Sequence, residues 1–179
     1  MPFEFIILDW IQLHIQCTLL DIVMPILTQL GNSGVIWILF TAIMLCIPKT
    51  RKYGVIMFLS LLLEFICCNL LLKPLVARIR PYEINTAISL LVPPPTDYSF
   101  PSGHSGAAFA IVSALYYAKH RFWIPSIFLA IALAFSRLYL YVHFPTDVLG
   151  GILLGWVSGW IVNKLFIRLN FWRCSHVSD

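Results

Sequence analysis

The sequence predicts an all-α fold, a polytopic bundle of membrane-crossing helices in a single domain over residues 1–179. Composition is the first observation: 60% of the residues are hydrophobic and 11% are charged, where a soluble domain of this length carries roughly 25% charge. The second is the grouping of apolar residues at 33–48, 53–72, 104–118, 122–142 and 147–167, stretches that approach the ~20 residues needed to cross a bilayer. The third is where the cations fall. Lys49, Arg51 and Lys52, then Lys119 and Arg121, then Lys164, Arg168 and Arg173 interrupt the apolar runs at alternate ends, as loops obeying the positive-inside rule do.

Taken in order, residues 1–32 are the least apolar part. They carry Asp9, His14, Asp21 and Pro25 and suit an interfacial helix, a first membrane helix, or one followed by the other. A crossing that begins near Cys17 is favoured, closed by the turn Gly31-Asn32-Ser33-Gly34, which brings the expected count to six membrane helices. The opening MPFEFIILDW lacks a basic n-region and a small-residue cleavage site, so no cleaved signal peptide is expected. With the basic groups inside, the 33–48 segment runs inward to Lys49 and the next runs outward to Lys73. The third returns to Lys119, the fourth exits near His143, and the fifth re-enters to Lys164. Lys73, Arg80, FPSGHSG, His143 and Asp147 therefore converge on the outer side. The one long connection, 82–100, also lies outside. Its ISLLV stretch suits a membrane surface, its three prolines hold an extended path, and its length suits a lid or a rim over a site.

The five cysteines show no metal-ligand spacing and read as small buried hydrophobes. The tryptophans read as membrane packing or interface anchors. Net charge is +4, but the cations are scattered between membrane-length segments, which does not fit nucleic-acid binding.

Ionisable residues in so apolar a chain are costly and mark function. Lys73 and Arg80 stand seven apart in KPLVARIRP, two turns if the stretch is helical, though Pro74 weighs against that. Both sit on the side where positive-inside bias does not place cations; for Arg78, snorkelling to the interface is the preferred reading. FPSGHSG places Ser102, Gly103 and His104 where a helix begins. Unpaired backbone N–H groups and the helix dipole there favour an anion, and Ser102 alone reads equally as a helix cap. In SRLYLYVHFPTD, His143 and Asp147 are four apart. A carboxylate on one imidazole nitrogen leaves the other free as a nucleophile. Two histidines and an aspartate also suggest a metal site, but three nearby cations, Lys73, Arg80 and Arg137, favour a phosphate instead. Glu64 lies nine residues before Lys73 and points away from it on an ideal helix, which suits a packing role. Asn69 lies closer to the face of Lys73. His14, His120 and His176 have no matching partners.

These three stretches together, spanning 73–147, resemble the signature of the type 2 phosphatidic acid phosphatase family: K-x6-RP, then PSGH, then SR-x5-H-x3-D. The resemblance implies a helical-bundle membrane enzyme that hydrolyses lipid phosphates without metal or other cofactor. It implies His143 as the nucleophile that forms a phosphohistidine, Asp147 as its orienting partner and His104 as the acid. Lys73, Arg80, Ser102, Gly103 and Arg137 would hold phosphate, with Ser136 the weakest member. Undecaprenyl diphosphate, phosphatidylglycerol phosphate, phosphatidate and lipid A phosphate are the substrates it suggests, at the outer face of a bacterial inner membrane. Phosphoryl transfer to an acceptor other than water would use the same intermediate; a transporter or a non-catalytic lipid binder fits less well.

Overall fold

In the computed structural model, residues 2–169 are described; Arg173, Trp172, Cys174 and His176 lie outside them. Every element among the described residues is helical. Helix α1 covers Pro2–His14, α2 Thr18–Leu30 and α3 Val35–Cys46. Helix α4, Arg51–Phe65, runs through a π-helical segment, Ile66–Leu72, into the short α5, Lys73–Val76. A four-residue helix α6, Pro81–Ile84, opens the long loop, and α7 (Gly103–Tyr117), α8 (Trp123–Tyr139) and α9 (Pro145–Arg168) complete the bundle. The five expected apolar segments coincide with α3, α4–α5, α7, α8 and α9.

By length and composition, the runs Arg51–Ile84 and Pro145–Arg168 suffice to cross a membrane, and α2 with α3, bent by 48°, forms a third such unit. A helix begins where the crossing from Cys17 was expected to start. Its 13 residues nevertheless cover only about 20 Å, short of the ~30 Å hydrocarbon core, and α2 qualifies only jointly with α3. Large apolar side chains face outward throughout, among them Phe128, Leu149 and Leu153, each more than 60% exposed, as a lipid-facing surface requires.

Helix α7 is the axis of the bundle, buried from Ser105 to Leu115. Its small residues let α9 lie directly on it. A Cβ at Gly155 would collide with the backbone of Gly106 and Ala110, one at Gly151 with the Ser102 carbonyl, and one at Gly159 would lie 2.6 Å from the Ser113 side chain. These three glycines, spaced by four, form a stripe through which two helix backbones touch. Asn163 Nδ2 donates to Ala114 O at 3.0 Å and Ser113 Oγ to Trp156 O at 2.6 Å, pinning the register. At the end away from the motifs, the α3–α4 and α7–α8 corners meet, with the Tyr53 and His120 rings 4.4 Å apart. Lys52 lies over the Tyr53 ring and Arg121 over the Phe122 ring at that end.

The polar residues of 1–32 dock onto the opposite end. Asp21 accepts from Tyr139 Oη and Asp9 from Tyr141 Oη, both at 2.6 Å, and Gln12 donates to Tyr139 O at 2.7 Å. Leu8 packs with Tyr141 and Phe144. One expectation is corrected. Cys68 is buried, but Cys17 and Cys46 are exposed, since a thiol is apolar enough for an outward-facing membrane position. Within the ISLLV stretch, Ile88 and Leu90 pack against the Leu8–Tyr141–Phe144 cluster, while Leu91 is exposed.

Gly155→Leu should force α7 and α9 apart, an overpacking that costs about 3 kcal/mol or more. The purified protein should lose most of its folded yield and unfold at a clearly lower temperature in detergent. An unchanged midpoint would rule out direct backbone contact.

Candidate active site

The π-helical segment sets the first residue of the site. Pro74 has no N–H, and its ring collides with the carbonyl four residues back in an α-helix. The chain responds by widening, so that Lys73 N donates to Cys68 O, five residues back. A wider turn advances fewer degrees per residue, so Glu64 does not point away from Lys73 as an ideal helix predicts. Both line the same cavity. Glu64 is 3% exposed, Oε1 has no hydrogen-bond partner among the described residues, and its carboxyl fills the space a Gly106 side chain would take. The helix ends at Val76, Ala77 adopts a left-handed φ of 46°, and the chain is extended at Arg80. Lys73 and Arg80 therefore do not share a helical face. They meet at Asp97, which ion-pairs with both.

The second group stands at the start of α7. Gly103 and His104 line the cavity, and a Cβ on Gly103 would lie 3.7 Å from Lys73 Nζ, so bare backbone faces the cation. His104 Nε2 lies 3.1 Å from Asn32 Oδ1 and donates to it. Ser102 departs from its expected place. It is fully buried, its Oγ accepts from Ser105 N at 3.5 Å and Ser105 Oγ at 3.1 Å, and it does not line the cavity. Its hydroxyl is committed to capping α7. Ser136 is likewise turned to its own helix, donating to Leu133 O at 2.7 Å.

The third group surrounds His143, 2% exposed in the turn between α8 and α9. Arg80 Nη1 donates to His143 Nε2 at 3.2 Å, so Nε2 is the bare nitrogen and Nδ1 carries the proton. Burial, with Arg80, Arg137, His104 and Lys73 nearby, holds its pKa well below the ordinary value, which keeps the ring neutral and nucleophilic. Asp147 Oδ2 lies 3.6 Å from Nδ1, on the correct side but beyond hydrogen-bond length. Its carboxylate is held instead by Ser99 Oγ at 2.5 Å, Phe144 N at 2.8 Å and Arg78 Nη1 at 2.6 Å. Arg137 is 3% exposed, bonds Thr28 Oγ1 through Nη1, and leaves Nε without a partner among the described residues.

Arg78 corrects a sequence reading. It does not snorkel: it bridges Asp147 and Glu4, the latter at 2.5 Å, donates to Thr146 Oγ1 at 2.7 Å, and lies 4.1 Å over the Phe144 ring. Sequence reasoning also missed Asp97, Ser99, Glu4, Thr28 and Asn32. Asp97 and Ser99 immediately precede FPSGHSG and could have been drawn into that motif; the others carry no local signal.

The cavity encloses about 1160 Å³. One end presents Lys73, Arg80, Asp97, Gly103, His104, Arg137 and His143; the other is walled by Ile38, Leu45, Phe58, Leu61, Leu62 and Phe65. The loop residues Val92, Pro93, Pro95 and Thr96 also line it.

Residues 52–171 match the PAP2 superfamily. The chain belongs to that family. As a PAP2 protein it is an integral membrane lipid phosphatase. Among its relatives, the undecaprenyl-diphosphatase of Sulfolobus acidocaldarius is 36% identical over 80% of this chain and 69% of that protein. The lipid A 4'-phosphatase of Bacteroides thetaiotaomicron is 34% identical over 57% of this chain and half (50%) of its own length. The crystal structure of the PAP2-type phosphatidylglycerolphosphate phosphatase of Bacillus subtilis superposes with a TM-score of 0.77 at 29% identity, covering 96% of this chain and 88% of that one.

Arg78→Ala strands Asp147, which is 0% exposed; removing one partner of a buried pair costs about 3–5 kcal/mol. The variant should unfold at lower temperature and release phosphate at least about tenfold more slowly. Both effects should be partly restored in Arg78→Lys, which keeps the charge but reaches only one carboxylate. Wild-type stability and rate in Arg78→Ala would show that the bridge holds nothing in place.

Proposed function

We propose that the protein hydrolyses a terminal phosphate, as a monoester or diphosphate, from a lipid on the extracytoplasmic side of the cell membrane, through a phosphohistidine on His143. One observation carries this reading: a single cavity joins a neutral, bare imidazole nitrogen among buried cations at one end to apolar walls at the other. A phosphate group fits the first end and lipid chains the second.

In the first half-reaction, Lys73, Arg80, Arg137 and the Gly103 N–H hold the phosphoryl oxygens. His143 Nε2 attacks phosphorus, the N–P bond forms, and the bond to the lipid oxygen breaks. His104 gives that oxygen its Nε2 proton. Asp147, facing Nδ1, stabilises the positive charge that develops on the ring. In the second half-reaction His104 takes a proton from water, the hydroxide attacks phosphorus, and the N–P bond breaks to release phosphate and restore His143. Ser102 contributes by capping α7 rather than by touching phosphate.

Counted as helices, α2, α3, α4, α7, α8 and α9 are the six membrane helices of this reading, with α2 and α3 sharing one bent crossing. The basic corners face the cytoplasm. The relatives named above act on undecaprenyl diphosphate, a lipid A phosphate and phosphatidylglycerol phosphate, so the head group is set by testing those lipids together with phosphatidate.

Purified protein in detergent, with a chelator present, should release phosphate from one of those lipids. His143→Ala should reduce the rate by at least about a thousandfold while remaining folded; near-normal release would remove His143 from the chemistry. Single cysteines placed at 85–96 should react with an impermeant thiol reagent added outside intact cells, and labelling only after lysis would invert the topology.

A further inference from the structure

The two cations at the head of the cavity already hold an anion. Asp97 pairs with Lys73 through Oδ2 and with Arg80 Nη2 through Oδ1 at 2.6 Å, while its carbonyl accepts from Arg80 Nε at 2.8 Å. Lys73 and Arg80 are buried, whereas the Asp97 side chain is 50% exposed. Burial opposes its ionisation, but Lys73 and Arg80 together outweigh that and hold its pKa down at about 2, so it is an anion at any physiological pH. The loop that carries it is anchored elsewhere, by Tyr82 Oη on Pro95 O at 2.7 Å and by the packing of Ile88 and Leu90. Arg80 keeps its bond to Val142 O at 2.7 Å whatever the carboxylate does. The carboxylate can therefore turn out to solvent without the loop unfolding or Arg80 losing its place.

We propose that Asp97 is a specificity-determining residue, an internal anion that a lipid must displace from Lys73 and Arg80 and that a terminal phosphate displaces far better than a phosphodiester does. This rests on the phosphatase reading above. A phosphate monoester carries about −1.5 to −2 charges near neutrality and three acceptor oxygens. Exchanging it for a single carboxylate strengthens the pairing with two cations. A phosphodiester carries one charge, so the exchange gains nothing and still has to free Asp97. If both anions stay, they repel inside a poorly solvated cavity. Phosphodiester head groups surround any membrane enzyme in large excess, and Asp97 keeps them from filling the site.

Asp97→Asn retains the shape and removes the charge. The measurement is inhibition of phosphate release in mixed micelles by phosphatidylglycerol, a phosphodiester, and by inorganic phosphate. Wild type should be inhibited much more weakly by the phosphodiester. In Asp97→Asn the inhibition constant for phosphatidylglycerol should fall about tenfold or more, narrowing the ratio between the two inhibitors. A lower kcat with an unchanged ratio would make Asp97 a mere anchor and overturn the proposal. Should the variant not turn over, the same ratio is read from thermal stabilisation of wild type and Asp97→Asn by the two ligands, and an unchanged ratio again overturns it. A wild type that neither releases phosphate nor is stabilised by it would sink the phosphatase reading itself, and this inference with it.

Discussion

The site depends on the direct contact of two helix backbones. Because α9 has no side chains at Gly151, Gly155 and Gly159, it settles onto α7 from the Ser102 carbonyl to Ser113. That contact brings the two helix starts side by side, and Ser102 N donates to Asp147 O at 3.0 Å across the joint. Residues 40 or more apart in sequence thus share one cavity without long side chains reaching for each other. The α7 N-terminus, where Gly103 and His104 line the cavity, directs its positive dipole end toward that volume, which prepares it for an anion before any lysine or arginine is added.

The charges are then partitioned. Arg78 serves the interior: with Glu4, Ser99 and Phe144 N it fixes Asp147 behind the imidazole. Lys73 and Arg80 face the cavity and are quenched by a residue of the loop. Among the described residues, Arg137 hydrogen-bonds a hydroxyl and makes no ion pair. A buried guanidinium without a counter-ion is expensive in an apolar setting. An anion at that wall would offset this cost.

Much of this was legible in the sequence. Apolar stretches and the placement of Lys49, Lys119 and Lys164 located the long helices, and topology alone put His104, His143 and the cations at one end. The departures have definite physical causes. Periodicity assumes 3.6 residues per turn, so it misplaced Glu64 across a π-helical segment that Pro74 imposes. Hydropathy treats an arginine near a membrane edge as snorkelling, so it undervalued Arg78, whose partner Glu4 is 74 residues away. Ser102 had two readings from sequence, cap or ligand, and only its orientation separates them. Asp97 was missed because its meaning comes from two cations that approach it through folding.

The wide turn at 66–72 also acts as an angular spacer. Losing one residue from it would shorten the chain by little, since the loop after Ile84 has slack. The change in angle would matter more: an α-helical residue turns by about 100°, enough to carry Lys73 away from Gly103 and toward lipid. Length in this part of the chain is therefore tolerant, while rotational phase is not, and the segment's residue count is set by where it aims a single ammonium group.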